Sequence, residues 1–175
     1  MEKSRLNNWY AIFVLTGEED NVKERLKFKL GEEVRLAVPK RRIKERKEGK
    51  TREVVKTLFP GYVLIQGDVT EDICMQFRDV PGLVKILGDK GLPYSIDPYE
   101  IELISNLIVE DEVIGYSTVL YENGCVRVID GPMVNLQGDI VSIDRRKGRA
   151  KIRVNFCGDE RTIDLGVEFL RPENV

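Results

Sequence analysis

Between Gly124 and Gly158, glycines at positions 124, 131, 138, 148 and 158 cut the chain into short alternating runs. No other feature constrains the fold as much. Runs of about four to seven residues joined by glycine turns are what a small, strongly curved β-barrel requires. The last run alternates without interruption. Ala150, Ile152, Val154 and Phe156 point one way, and Arg149, Lys151, Arg153 and Asn155 point the other. A barrel that buries the first set displays three cations in a row on its outside, which suits a surface facing nucleic acid.

Charge is segregated along the chain. The net charge is −2, yet residues 40–52 hold eight Lys/Arg against two Glu, and residues 145–153 hold six against none. Half of the 28 cations therefore lie in two short stretches of an otherwise acidic chain. Local clusters of this kind, rather than the overall sum, set affinity for phosphate. Arg145, Arg146, Lys147, Arg149, Lys151 and Arg153 are the candidate RNA-binding set, because arginine forks bind phosphate, recognise guanine edges and stack on unpaired bases. For Lys40, Arg41, Arg42, Lys44, Arg46 and Lys47 two readings stand, a solvated loop or a contact with upstream DNA or the same RNA, because Glu45 and Glu48 leave that stretch mixed.

Other classes are disfavoured. The chain has no histidine, and Cys74, Cys125 and Cys157 are isolated, so neither a metal site nor a cofactor site is expected. No motif pairs a nucleophile with a base, and the acids Glu110, Asp111 and Glu112 read as the solvated flank of a helix, so no enzymatic activity is expected. The longest apolar run, Ala11–Leu15, falls far short of the roughly 20 residues a spanning helix needs. The first residues lack the apolar centre of a signal peptide. A cytoplasmic monomer without membrane contact is expected.

The first two-thirds of the chain alternates strands and helices. Trp9–Leu15 reads as a central strand. Thr16-Gly17-Glu18-Glu19 has capping-box spacing, and Val22, Leu26 and Leu30 then recur every four residues, predicting a helix over about 18–30. Strands follow at 34–38 and 61–66, with a basic hairpin between them around Lys47–Lys50. Thr70 caps a short helix to about Arg78, residues 83–87 form a strand, and Asp97 starts a last helix carrying Ile101, Ile104, Leu107 and Ile108 inward. The organisation expected is α+β: a sheet domain over residues 1–110, a connector over 111–122 and an all-β domain over 123–175.

Trp9-Tyr10-Ala11, Leu58-Phe59-Pro60-Gly61-Tyr62-Val63 and Pro81-Gly82-Leu83-Val84 resemble the N-terminal domain, called NGN, of the NusG family of transcription elongation factors. Val126-Arg127-Val128-Ile129-Asp130-Gly131-Pro132 through Gly138 resembles the family's KOW domain. The resemblance implies an antiparallel sheet flanked by helices, followed by a five-stranded barrel, and binding to the clamp helices of RNA polymerase. An amphipathic helical partner needs an apolar pocket lined by rigid aromatics. With that resemblance, Tyr10, Phe59, Pro60 and Tyr62 are the expected polymerase contacts, and Trp9 is expected to be buried.

Three departures set the chain apart from housekeeping members. Asp79 and Val80 stand where those members carry an Asn-Thr pair that reads non-template DNA. Phe156-Cys157-Gly158-Asp159 replaces the Ile-Phe-Gly-Arg loop that contacts Rho or a ribosomal protein in relatives, and the connector is short. Together these resemble the LoaP group, antiterminators of long operons recruited by a leader RNA hairpin. A general NusG factor coupled to Rho or the ribosome, and a ribosome-associated KOW protein, are the alternative readings.

Overall fold

The computed structural model describes residues 7–107 and 112–170; Ile108, Glu110 and Asp111 lie outside them. In chain order the first elements are β1 (Trp9–Val14), α1 (Glu19–Leu30), β2 (Arg35–Ala37), β3 (Lys40–Lys47), β4 (Lys50–Thr57) and β5 (Tyr62–Gln66). Then come α2 (Glu71–Gln76), β6 (Leu83–Ile86), β7 (Gly88–Asp89), β8 (Leu92–Pro93), α3 (Pro98–Leu107) and β9 (Val113–Ile114). Finally β10 (Ser117–Glu122), β11 (Cys125–Asp130), β12 (Ile140–Asp144), β13 (Arg149–Phe156) and β14 (Asp159–Leu170) are the last strands of the described residues. The α+β class expected from the sequence is present. Among the described residues no helix is long and apolar enough to cross a membrane.

The backbone divides into two compact units. Residues up to Val38 with Phe59–Ile101 form one, and Pro39–Leu58 with the residues from Glu102 onward form the other. The first unit holds an antiparallel sheet in the order β2-β5-β1-β6. Val22, Leu26 and Leu30 of α1, with Ile73 and Phe77 at α2, pack against Tyr10, Ile12, Val14, Val63 and Ile65. Each such aliphatic side chain contributes roughly 1.5–3 kcal/mol when fully buried. The α2 cap is the expected one, since the Ile73 amide donates to Thr70 Oγ1 at 3.4 Å. At α1 the expectation fails. Glu18 occupies the N-cap position with no side-chain cap bond. Glu19 instead turns inward, accepting from the Gly17 amide at 2.9 Å and the Gly61 amide at 2.7 Å.

In the second unit, β11-β10-β14-β13-β12 form one sheet, a half-barrel with β11 and β12 at its edges. The alternation of β13 holds throughout. Ala150, Ile152, Val154 and Phe156 are buried beside Val119, Val128, Met133, Ile163, Leu165 and Val167. Two features differ from the sequence reading. The stretch expected as connector carries β9 and β10, and β10 pairs with β11 on one side and in parallel with β14 on the other. Its alternation is legible in Ser117, Val119 and Tyr121, but local pattern does not say which distant strand it joins.

The basic hairpin β3–β4, turning at Glu48 and Gly49, packs with these C-terminal strands. Arg41 Nη1 donates to the Asp164 carbonyl at 2.9 Å, and Arg149 Nη2 to the Lys44 carbonyl at 2.9 Å. Lys44 Nζ meets Glu168 Oε1 at 3.1 Å. Gly166 makes the approach feasible, because a Cβ there would sit 2.4 Å from the Tyr116 ring and 2.6 Å from the Arg42 carbonyl. Burial, with Glu53 nearby, pushes the Tyr116 hydroxyl up to about 12. Gly166→Ala is expected to destabilise this unit by about 1–3 kcal/mol through overpacking, read as a lower denaturant midpoint.

Candidate functional site

Two surfaces carry the residues that the sequence singles out. The first surrounds the Phe59–Gly61 turn. Gly61 takes φ of 85°, and its carbonyl accepts from the Val14 amide at 2.8 Å. Its amide is held by Glu19, a carboxylate only 4% exposed. A buried carboxylate is tolerated only when its oxygens are bonded, and here two backbone amides serve.

Beyond the turn, β5 pairs with β1 so that Tyr62 lies opposite Phe13. The two rings meet edge to face at 5.5 Å, each half-buried, beside exposed Pro60. The other two expected contacts lie elsewhere. Tyr10 is 7% exposed, because strand alternation sends it to the helix side with Ile12 and Val14. Phe59 is 2% exposed. Neither has surface to offer a partner. Phe13, which the sequence reading did not single out, is the ring partner of Tyr62, legible only once β1 alternation is combined with the β1–β5 register. Trp9 is buried as expected, beneath Arg35 at 5.6 Å. Val80 is buried and Asp79 exposed.

The second surface is cationic. Lys44, Glu45, Arg46, Lys47 and Thr51 of the hairpin and Arg146, Lys147 and Arg149 of the β12–β13 turn line one groove of about 660 Å³. Six cations and one acid thus meet from stretches about a hundred residues apart. The turn is shaped by Asp144 Oδ1, which accepts from the Lys147 amide at 2.9 Å, and that bond holds the Asp144 carboxyl below its usual range. Glu45 accepts from Lys56, which likewise lowers its pKa, and lies 3.7 Å from Arg149.

The rest of the basic set is dispersed. On β13 the row of cations expected from sequence is interleaved with acids from neighbouring strands. Lys151 pairs in register with Asp164, Arg153 lies 3.5 Å from Glu160, and Arg149 lies 3.9 Å from Asp164. Lys151 lines a smaller recess of about 150 Å³ with Ser142, Asp144, Lys147, Arg149 and Asp164. Arg145 turns away from the groove lining and lies over the Tyr121 ring at 4.5 Å. On the hairpin, Lys40 donates its amide to the Glu112 carbonyl at 2.7 Å, Arg41 is spent on the Asp164 carbonyl, and Arg42 faces Glu53 at 3.4 Å. Burial lowers the Arg41 pKa. The groove, rather than the length of β13, is where positive charge accumulates.

A family model described as transcription termination factor NusG matches residues 7–105. The transcription termination/antitermination protein NusG of Bacillus subtilis is 33% identical over 168 residues, covering 90% of this chain and 94% of its own. The protein of the same description from Rickettsia prowazekii is 29% identical over 170 residues, covering 93% and 88%. A solved structure of Thermotoga maritima NusG, concerned with the interaction of its domains, matches with a TM-score of 0.58 at 25% identity, covering 91% of this chain and 93% of its own.

Removing the buried carboxylate should loosen the aromatic surface without touching it. Glu19→Ala leaves the buried Gly61 amide unpaired, at about 1–3 kcal/mol, while the exposed Gly17 amide turns to solvent. A lowered denaturant midpoint and faster amide exchange at Gly61 are the expected readouts.

Proposed function

The chain belongs to the NusG family of transcription termination/antitermination factors, and we propose that it is a specialised antiterminator like those of the LoaP group, recruited by a hairpin in a leader RNA. It is a transcription factor that works by binding, in keeping with its relatives, rather than by catalysis. The observation that carries the reading is the convergence of two basic stretches on one groove. A single groove with six cations and one acid follows a folded RNA backbone better than two separate patches would. Each phosphate contact steepens the salt dependence of binding by roughly 0.7–0.9 in logarithmic slope.

The polymerase contact is assigned to the first unit. Pro60, Tyr62 and Phe13 form a rigid apolar surface for the clamp helices, with Tyr10 and Phe59 supporting it from within the fold. Binding there favours the closed clamp over the open, pause-prone one by differential affinity. RNA held in the groove raises the local concentration of the factor at the transcripts that carry the hairpin. Asp79 and Val80 supply neither a phosphate contact nor a base contact, which accords with recruitment by RNA rather than by non-template DNA. A ribosome-associated KOW protein would leave the aromatic surface of the first unit without a role.

Gel shift against the leader RNA of the protein's own operon tests the groove. Arg146→Glu with Lys147→Glu should abolish a specific shift. Arg153→Glu, already beside Glu160, should weaken it only a few-fold. Full-strength binding by the double variant would overturn the assignment. For the other surface, Tyr62→Asp should abolish co-elution with RNA polymerase while leaving the RNA shift intact.

A further inference from the structure

Arg145, Arg146 and Lys147 are consecutive, but they serve different surroundings. The second and third line the cationic groove, whereas the Arg145 guanidinium lies 4.5 Å from the centroid of Tyr121 and 5.4 Å from that of Phe169. Tyr121 follows Ser117 and Val119 on the inward-facing side of β10, yet it sits where the strand runs out, and the residue stays 41% exposed. Among the described residues Arg145 has no carboxylate partner, in contrast to Lys147, Arg149 and Arg153. Its charge is met by two π-faces, and the residue as a whole is exposed.

We propose that Tyr121 and Arg145 form a stacking platform for an unpaired RNA base, immediately beside the groove that holds the phosphates. The proposal rests on the RNA-binding reading and adds to it a site that distinguishes unpaired from paired RNA. Aromatic rings and arginine planes accept a base of any identity through its π-face, and each stacked base contributes substantially to single-strand affinity. The neighbouring cations select an anionic ligand, and the exposed tyrosine with the guanidinium plane over its ring selects a planar one. A nucleobase attached to its phosphate supplies both. Fully paired RNA keeps its bases within the helix and cannot use the platform.

Fluorescence anisotropy with two probes, an oligoadenylate and a blunt-ended RNA duplex of equal charge, separates the outcomes. Tyr121→Leu should weaken oligoadenylate binding about tenfold and leave duplex binding unchanged. Tyr121→Trp should retain oligoadenylate binding, and its added emission, measured against the wild-type signal from buried Trp9, should be quenched by oligoadenylate and not by the duplex. The tryptophan variant decides the matter even if Tyr121→Leu fails to fold. If Arg146→Glu with Lys147→Glu loses both probes while the Tyr121 variants bind oligoadenylate like wild type without quenching, the platform is wrong and the groove stands. If that double variant binds both probes normally, the groove assignment falls and the platform falls with it.

Discussion

The arrangement of the second unit depends on guanidinium groups bonded to backbone carbonyls across the hairpin and the half-barrel. Arg149 reaches the Lys44 carbonyl and Arg41 reaches the Asp164 carbonyl, each at 2.9 Å, over the bare Cα of Gly166. These bonds to carbonyls fix each guanidinium in place, while Glu45 and Asp164, within 4 Å of Arg149, offset part of its charge. Two like charges about 4 Å apart repel by about 1 kcal/mol in water and by more near a low-dielectric surface. Gathering six cations in one groove therefore needs a rigid scaffold, and Glu45 supplies the one carboxylate among them. In the RNA-binding role proposed for the groove, an arriving anion relieves that repulsion.

The first unit uses a buried carboxylate for a comparable purpose. Glu19 satisfies the buried Gly61 amide, which would otherwise be unpaired, and accepts from the Gly17 amide as well, and so holds the Phe59–Gly61 turn against the end of β1. The turn then sets where Pro60 and Tyr62 emerge, and the antiparallel register delivers Phe13 beside Tyr62. A rigid aromatic pair loses little conformational freedom on binding, in keeping with the polymerase contact proposed for it. In both units a polar interaction within the fold determines the shape of the surface to which a partner is proposed to bind.

Local sequence was a good guide wherever period alone decides the outcome. The alternation of Ala150, Ile152, Val154 and Phe156 and the four-residue recurrence of Val22, Leu26 and Leu30 both translate directly into buried faces. Thr70 acts as the cap its position suggests. The guide failed at Thr16, because Glu19 found better donors in Gly61, which is distant in sequence. At Tyr10 the resemblance says nothing of which sheet face the residue occupies, and the fold places it in the core. The row of cations at 149, 151 and 153 lacked acids only along its own strand. Glu160 and Asp164 lie across the ladder, where a linear reading does not look.

The sequence by itself determined the elements, the alternation that buries one face of each strand, and the family. These are properties of near neighbours, governed by a period of two or 3.6 residues and by turn chemistry. Tertiary structure alone decided that the hairpin at 40–57 joins the strands beyond residue 112, that acids thin the charge along β13, and that Arg145 leaves its two neighbours for Tyr121. Those outcomes turn on which distant groups approach within a few ångströms, and charges act through space rather than along the chain.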